Sequence, residues 1–455
     1  MTIGSVVRVI GALCTCALAS CGDDGSPVEA YDDRSPILTL ARGNSQITTA
    51  GDELPAPVVV RVTNAQNKPL GGVALEWNVD KNDVITPDRL LTDDSGFVRA
   101  TWTLSSQLGR HVATATLGDQ IVTFRATATE PLPLGSPRRL QLSTYDGLGE
   151  VVHPDVVRVP RGWAAARRFL AITPYPNGDT KHELPSVYAS GDPMQWDAPE
   201  GLENPVIRPK RGYLSDPDIL FEPQKSELWM YFRHVRRRNS IYLTTSPDGQ
   251  HWTKPQGIIR APNHQIVSPS VVRVSATNWH MWAVNAGPIG CKAERTTVEH
   301  RTSTDGIHWT TARTVDMAGP NELTPWHLDV VWVPELQQFW GLYNEKPTQS
   351  CATQALRFVT STDGISWTQY PTPILRAGVV PEFRDIIYRS TLEYDARTDM
   401  VTLWYSGARA SGTESWYWSA AVERRRRADL FRIVETIEPT RRAVARKIPE
   451  LLNAP

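Results

Sequence analysis

The sequence predicts an all-β protein in which a small β-sandwich is followed by a five-bladed β-propeller. Three observations support this fold class: a strand-opening motif that occurs five times, a repeated turn motif offset from it along the chain, and an earlier segment with strict apolar alternation. Each observation defines one part of the 455-residue chain.

The strand-opening motif places a polar residue ahead of paired apolar residues. It occurs at positions 153–157, 216–220, 268–272, 327–331 and 389–392. Its equivalent members are Asp155, Asp218, Ser270, Asp329 and Thr391. They recur at intervals of roughly 50 to 65 residues, which is typical of propellers in which one repeat forms one blade.

The second motif is a turn that ends in tryptophan. It occurs at positions 246–252, 303–309 and 361–367, with a degenerate copy at 190–196, so its tryptophans are almost evenly spaced. Asp-Gly between apolar segments is a strong hairpin signal, because Gly accepts a positive φ and Asp caps its own turn. We expect a structural role for these turns, since turn tips spread around a ring cannot converge on one site.

Apolar runs between the two motifs predict the second strand of each repeat. They lie at positions 228–232, 280–284, 339–343 and 402–405. Four strands in each of five repeats describe a five-bladed propeller over residues 137–435, followed by a tail at 436–455. Two segments are candidates for closing the ring: residues 140–144 before the first blade and residues 430–434 after the last.

Residues 36–130 differ from the repeats, because apolar side chains alternate along segments such as 58–62 and 98–104. Alternation indicates half-buried strands, and about seven short strands suit a β-sandwich. Residues 92–104 and 109–115 resemble bacterial Ig-like domains of surface proteins. The resemblance implies a stalk or adhesion module without chemistry, joined to the propeller by the proline-rich segment 130–137.

The start of the chain resembles a bacterial lipoprotein signal. Residues 6–19 are apolar and lead into Leu-Ala-Ser-Cys at 18–21. The resemblance implies a signal peptide at 1–21, lipidation of Cys21, a flexible tether at 22–35, and a place in the cell envelope, at its periplasmic face or on the cell surface. The apolar stretch is too short for an ordinary transmembrane span.

The charge composition argues against nucleic acid and anionic membrane surfaces as partners. The formal net charge is −1 and the sequence pI is about 6.8, so no broad cationic field could hold nucleic acid or an anionic membrane. We expect a monomer that meets the membrane only through its lipid anchor. The run Arg424 to Arg427 is interpreted as a solvated loop, with a local binding patch as the alternative.

Two cysteines lie in equivalent loops of neighbouring repeats. Cys291 and Cys351 each stand a short and similar distance ahead of an Asp-Gly turn, the first before Thr304 and the second before Thr362. An exported compartment permits a disulfide between them, and two unpaired thiols are the alternative.

The inner strands of a propeller begin around a central channel, where ligands usually bind. Polar residues that the repeat places on this face come from the strand openings and from neighbouring loops: His153, Asp155, Tyr175, Glu183, Asp216, Asp218, His327, Asp329 and Arg389. Carboxyl groups from several blades could converge there. Glycoside hydrolysis needs such a set, with one carboxylic acid to protonate the leaving oxygen and one carboxylate to activate water or attack carbon.

At these residues the chain resembles the five-bladed glycoside hydrolases of the arabinanase, β-xylosidase and levansucrase type, especially family 43. The resemblance covers about residues 137–435 and implies that Asp155 is the base and Asp218, with Asp216 beside it, the second aspartate. No inner strand offers the glutamate that serves as acid in that family. The acid is then unplaced: Asp329 could act if burial raised its pKa, and Glu183, Glu322 or Glu345 could reach in from loops.

The remaining polar residues of the channel mouth are candidates for binding sugar: His153, Tyr175, Asp216, His327 and Arg389. Aromatic faces stack on sugar rings, and arginine pairs with carboxylates. The function expected from the sequence is therefore hydrolysis of a polysaccharide or oligosaccharide. A non-catalytic glycan-binding or surface-adhesion module is the alternative. No cofactor is expected, and a structural channel ion such as calcium is left open because no diagnostic ligand spacing is present.

Overall fold

The computed structural model describes residues 35–318, 324–347, 349–353, 355–370, 372–411 and 415–431. The predicted signal peptide with Cys21, nearly all of the tether, Glu322 and the C-terminal tail lie outside the described residues. Within them, regular structure is almost entirely β-strand. None of the helices in this part of the chain is long and apolar enough to cross a membrane.

Residues 37–129 form two four-stranded sheets. Their strands are β1 (Ile37–Arg42), β2 (Gln46–Thr49), β3 (Val58–Thr63), β4 (Glu76–Val79), β5 (Val84–Pro87), β6 (Phe97–Thr103), β7 (Gly109–Leu117) and β8 (Gln120–Thr129). The strand orders are β1-β3-β6-β5 and β2-β8-β7-β4. Alternate residues such as Val58, Val60 and Trp102 on one sheet and Phe124 on the other share one buried core. The two sheets therefore pack as a sandwich.

The rest of the described chain contains five antiparallel sheets. Their strands are β9 (Arg138–Arg139), β10 (Val151–Arg158), β11 (Arg168–Pro174), β12 (Ser186–Ser190), β13 (Tyr213–Glu222), β14 (Glu227–Val235), β15 (Asn239–Ser246), β16 (Gln256–Ala261), β17 (Ile266–Ser275), β18 (Asn278–Asn285), β19 (Thr297–Ser303), β20 (Arg313–Val315), β21 (Thr324–Val333), β22 (Gln338–Lys346), β23 (Ala355–Ser361), β24 (Thr368–Gln369), β25 (Leu375–Arg376), β26 (Ile386–Asp395), β27 (Met400–Ala410) and β28 (Trp416–Arg426). A short helix, α1 (Arg427–Phe431), follows the last strand.

The first strands of the five sheets form a closed ring. Strands β10, β13, β17, β21 and β26 each contact the next, and β26 contacts β10. Strand β9 pairs with β28 and becomes the outer strand of the last sheet. Of the two predicted closing segments, the N-terminal one therefore closes the ring, and Leu140 N extends the pairing to Ala420 O at 2.9 Å. Leu430 lies in α1 instead of a strand.

A separate apolar layer fills the space between each pair of neighbouring sheets. Large buried side chains in these layers include Trp229 and Trp279 between the second and third sheets, and Trp282 between the third and fourth. Trp340 and Trp404 lie in the layers on either side of the fifth sheet. Burial of large aromatic side chains supplies much of the energy that holds radial sheets together.

Each first strand carries a β-bulge near its start. The pairing register shifts between Val152 and Asp155 in β10, and equivalent shifts occur in β13, β17, β21 and β26. Three bulge residues have positive φ: His153 at 59°, Asp216 at 50° and Ser268 at 48°. A bulge bends the strand and re-aims one side chain. The repeated polar openings of the sequence are therefore the places where side-chain direction changes.

The tip of an Asp-Gly turn packs against the preceding sheet. In the turn at 303–309, Asp305 accepts hydrogen bonds from Ile307 N and His308 N, each at 2.8 Å. Gly306 has a φ of +74°, and a Cβ there would lie 2.9 Å from both Trp229 and Tyr231 of the preceding sheet. Tyr231 also donates a hydrogen bond to Gly306 O at 2.8 Å. The glycine is needed both for its backbone conformation and for this close contact.

Gly306→Ala should lower the free energy of unfolding by about 2 to 4 kcal/mol, because it adds backbone strain and overpacks the contact with the preceding sheet. Gly147→Ala is the matched control, since Gly147 has a φ of +75° and no described atom lies within 4 Å of the added Cβ. Urea unfolding followed by tryptophan fluorescence would measure both variants. Equal losses in the two variants would contradict the close-contact explanation.

An ion-pair network spans the junction between the last and first sheets. Glu393 of β26 contacts both Arg158 and Arg168, and Arg168 Nε donates to Glu393 Oε2 at 2.9 Å. Burial alone would raise the pKa of Glu393, but the two guanidinium groups outweigh it and lower the pKa to about 2. Ionised Glu393 is therefore more stable in the folded ring than in the unfolded chain.

Glu393→Gln should lower the free energy of unfolding by about 3 kcal/mol at pH 7. The folded-state pKa of Glu393 lies below the ordinary 4.5, so the stabilisation is complete above that pH and is lost as pH falls toward 2. Urea unfolding at pH 7 and pH 2.5 should show a wide gap between wild type and variant at pH 7 and a narrow gap at pH 2.5. The exposed Glu335→Gln variant should match wild type at both pH values; a gap independent of pH would refute the linkage.

Candidate functional site

The bulges sort the polar residues of the inner strands into two sets of five. We call the bulge residues the first ring: His153, Asp216, Ser268, His327 and Arg389. We call the residues two positions later the second ring: Asp155, Asp218, Ser270, Asp329 and Thr391. The two rings have different surroundings and therefore different chemistry.

A cavity of about 330 Å³ opens beside three members of the first ring. Its wall comes from all five repeats, and much of it from the loops between their second and third strands. The polar, aromatic and cysteine side chains that line it are His153, Tyr175, Thr180, Glu183, Tyr213, Ser215, Asp216, Arg233, Gln265, Cys291, Lys292, Trp326, His327, Cys351 and Tyr388. Cys291 and Cys351 form a disulfide, as their equivalent loop positions predict.

Two histidines flank one carboxylate at the base of this cavity. His327 Nδ1 lies 3.2 Å from Asp216 Oδ1 and 2.6 Å from Ser268 Oγ. His153 Nδ1 contacts Thr173 Oγ1 at 3.0 Å, and His153 Nε2 lies 3.5 Å from Asp216 Oδ1. The Nε2 atoms of both histidines are buried and have no hydrogen-bond partner among the described residues. Each histidine therefore keeps a nitrogen available for a ligand.

Electrostatics place this cluster in the protonation state that binds metal ions. Burial lowers the pKa of both His153 and His327, so both imidazoles are neutral near pH 7. Burial alone would raise the pKa of Asp216, but the contact with His153, the hydrogen bond with His327 and the positive charge of Arg233 outweigh it and hold that pKa well below its usual range. Neutral imidazole and ionised carboxylate are the ligand forms that metal sites require.

The three side chains also lie close enough to share an ion. One possible ligand atom from each of His153, Asp216 and His327 falls within 4.8 Å of the others. Two nitrogen donors and one carboxylate suit zinc and similar divalent transition metals. A cation bound through Nε2 would also give that buried atom the partner that buried polar atoms normally have. The cluster therefore fits a divalent cation.

Arg233 and Ser215 fix the carboxylate of this cluster. Ser215 Oγ donates to Asp216 Oδ2 at 3.1 Å, and Arg233 Nη1 lies 3.6 Å from the same oxygen. Arg233 is itself held by Asn239 at 2.8 Å and by Gln265 at 3.3 Å. Buried groups with several fixed partners keep a ligand in one orientation.

Glu183 supplies an acid to the same cavity. Its side chain is buried, and burial together with the nearby Asp216 raises its pKa well above the usual range. Its carboxyl group therefore holds its proton to higher pH than an exposed glutamate does, and it lines the cavity. A carboxyl group in this state can donate a proton during a reaction.

The second ring links neighbouring inner strands. Asp155 accepts a hydrogen bond from Ile219 N, Asp218 Oδ2 accepts one from Val271 N at 3.0 Å, and Ser270 Oγ accepts one from Val330 N at 2.9 Å. In each case the donor follows the next member of the ring. The same geometry thus recurs at three junctions between sheets.

Arg389, a member of the first ring, contacts two aspartates of the second ring. Its guanidinium group is fully buried and lies 3.4 Å from Asp218 and 4.0 Å from Asp329. Burial is the main cause of raised pKa values at all three aspartates of this ring. It raises the pKa of Asp155 to about 7, and it also raises the pKa values of Asp218 and Asp329. Carboxyl oxygens of the three aspartates lie within 4.8 Å of one another, but none of them lines the cavity.

The predicted site residues therefore divide into two groups. The cavity brings together His153, Tyr175, Glu183, Asp216 and His327. The residues that lie outside its wall are Asp155, Asp218, Asp329 and Arg389. The residues that sequence reasoning did not place at the site include Ser268 and Tyr388. Ser268 is the first residue of the third strand-opening motif, at the position equivalent to His153 and Asp216, so the motif itself could have found it.

Comparisons with known proteins find several solved structures and one curated protein that resemble this chain. No family model matches the chain. Matches among solved structures include a thermostable family-43 glycoside hydrolase, with a TM-score of 0.42, 12% identity and coverage of 66% of this chain and 92% of that one. An α-L-arabinofuranosidase from Fusarium graminearum gives a TM-score of 0.41 and 17% identity, and covers 78% of this chain and 98% of that one.

A higher TM-score comes from an N-acetylgalactosamine deacetylase of Flavonifractor plautii, solved in complex with blood group B trisaccharide. The TM-score is 0.61 at 23% identity, covering 66% of this chain and 97% of that one, which shows a shared fold. A sequence relative is the A type blood N-acetyl-α-D-galactosamine deacetylase of the same organism, 28% identical over 308 residues. The match covers 56% of this chain and 40% of the length of that relative.

Asp155→Asn and Asp155→Ala should differ in stability. The asparagine oxygen can still accept the hydrogen bond from Ile219 N, so the free energy of unfolding should change by less than about 1 kcal/mol. Alanine leaves that N–H buried without an acceptor, and the loss should be about 1 to 3 kcal/mol. Urea unfolding of the two variants beside wild type would measure this, and equal stability of the two variants would argue against a linking role.

Proposed function

We propose that the chain is a carbohydrate-active hydrolase that removes the acetyl group from an N-acetylated amino sugar. The observation that carries this proposal is the cluster of His153, Asp216 and His327 at the base of the cavity, whose two Nε2 atoms have no partner among the described residues. The activity of the Flavonifractor relative supports the same reaction class. N-acetylgalactosamine at the end of a glycan is therefore the first substrate to test.

His153, Asp216 and His327 would hold a divalent cation in this proposal. A cation at such a site supplies Lewis-acid activation of a carbonyl group. The protein's own contribution is to present two neutral imidazoles and one carboxylate in a buried, fixed arrangement. Arg233 and Ser215 keep Asp216 ionised and correctly oriented.

Hydrolysis of the amide needs a bond from water oxygen to the acyl carbon and cleavage of the bond from that carbon to nitrogen. The departing amine must gain a proton. We assign this proton donation to Glu183, because its pKa is raised and its side chain lines the cavity; the carboxylate left behind would take the proton that the attacking water loses. The products are acetate and a free amino sugar, and the glycosidic bond is unchanged.

Glycoside hydrolysis by Asp155, Asp218 and Asp329 has one observation in its favour, the convergence of the three carboxyl groups. Their position outside the cavity wall and their backbone contacts favour a structural role instead. We therefore expect Asp155→Asn to retain acetate release. Loss of activity with unchanged stability would restore the catalytic role for Asp155.

The domain architecture and the cellular location are also proposals. We propose a five-bladed propeller presented by an Ig-like stalk, with a lipid anchor at Cys21 holding a monomer in the cell envelope. The strand pattern and the apolar start of the chain support these assignments. A stalk of this kind would hold the cavity away from the membrane surface.

The central test is acetate release from glycans that end in N-acetylgalactosamine. Wild-type protein should release acetate, a chelator should abolish the activity, and added zinc or manganese should restore it. His327→Ala should lower kcat about 1000-fold because a ligand is lost. His308→Ala is the matched control, since this histidine is exposed on a turn and does not line the cavity.

Metal content gives a readout that does not depend on activity. Wild-type protein and His308→Ala should retain about one equivalent of metal after dialysis, and the His153→Ala/His327→Ala double variant should retain much less. Release of arabinose or xylose without acetate would overturn the proposal in favour of glycoside hydrolysis. Glycan binding without any turnover would indicate a non-catalytic binding module.

A further inference from the structure

Tyr388 lies directly over the histidine cluster. It precedes Arg389 in β26, lines the cavity, and has its ring centroid 4.1 Å from that of His327 and 5.4 Å from that of His153. Its ring also packs against Trp418 at 5.2 Å. The phenol is therefore held beside the two histidines of the cluster.

The hydroxyl group of Tyr388 is oriented by an indole. Trp326 Nε1 donates a hydrogen bond to Tyr388 Oη at 3.2 Å, a normal length for N–H donation to oxygen. Because the oxygen already accepts this bond, its own hydrogen must point elsewhere. Among the described residues no hydrogen bond donated by this hydroxyl group is found, and Tyr388 lines the cavity.

Rigid surroundings keep this donor in place. Trp326 is buried, and its ring packs edge-on against His327 at 5.5 Å. Trp326 and Tyr388 each stand immediately before a first-ring residue, His327 and Arg389, at the bulges of neighbouring strands. A donor fixed before the substrate arrives costs no reorganisation during the reaction.

We propose that Tyr388 is a catalytic residue whose hydroxyl donates a hydrogen bond to the acyl oxygen of the substrate. This inference rests on the proposed deacetylation. As water oxygen bonds to the acyl carbon, the carbonyl electron pair moves onto the acyl oxygen, and Tyr388 stabilises that charge while keeping its own proton. The carbon–nitrogen bond then breaks, the amine takes its proton from Glu183, and the Glu183 carboxylate left behind takes the proton that the attacking water loses.

Tyr388→Phe should lower kcat for acetate release about 100- to 1000-fold, because it removes one hydrogen-bond donor to the developing charge. KM, metal content and melting temperature should stay within about twofold or 2 °C of wild type, since Phe keeps the ring contacts. Trp326→Phe should lower kcat by a smaller factor, because it removes only the group that orients the phenol. A purely structural role for Tyr388 would lower stability without a selective loss of kcat.

Tyr405→Phe is the matched control. Tyr405 belongs to the same sheet and is fully buried, and its hydroxyl group has no hydrogen-bond partner within the described part of the chain, but it does not line the cavity. The same chemical change there should leave kcat unchanged. A kcat for Tyr388→Phe equal to that of Tyr405→Phe would overturn the proposal.

Methylphosphonate binding separates failure of this inference from failure of the proposed function. Its charged tetrahedral oxygens resemble the reacting acyl centre, and calorimetry should show a Kd about tenfold higher for Tyr388→Phe than for wild type. An unchanged Kd would overturn the donor role. Wild-type protein that releases no acetate but shows this tenfold difference would overturn deacetylation while supporting Tyr388 as a donor.

Discussion

The hydrogen bond from one inner strand to a polar side chain of the preceding inner strand is the contact on which the ring depends. Asp155, Asp218 and Ser270 each accept a backbone N–H from the next strand. These N–H groups are buried at the crowded centre, where an unsatisfied donor would cost free energy. The second ring therefore fixes the position of each sheet against its neighbour, and the apolar layers fill in around it.

The bulges separate the second ring, which links the strands, from the first ring, which contributes side chains to the cavity. Residues 153 and 155 both carry groups that could serve a hydrolase, but only His153 reaches the cavity. Asp155 stays in contact with the next strand, and Arg389 offsets part of the buried negative charge beside it. One short stretch of each strand thus serves both stability and ligand binding without requiring the same side chain to do both.

Sequence alone predicts the features that depend on local pattern. The repeat spacing, the second strands and the Asp-Gly turns such as that at Gly306 follow from alternation and turn chemistry. The choice of site residues does not follow, because residues two apart in a regular strand share a face and His153 and Asp155 would be expected together. The bulge overrides that rule, and the contact between Trp326 and Tyr388 joins two strands that are distant in the sequence.

Closure of the ring by β9 sets an order of events during folding. Strand β9 ends at Arg139 and its partner β28 ends at Arg426, so this pairing joins the two ends of the ring's sequence. The sandwich formed by β1 to β8 can fold while the propeller is still incomplete, because it has its own core. The last sheet must wait with an unpaired edge until both ends meet. Until the ring closes, that edge is open to pairing with another chain.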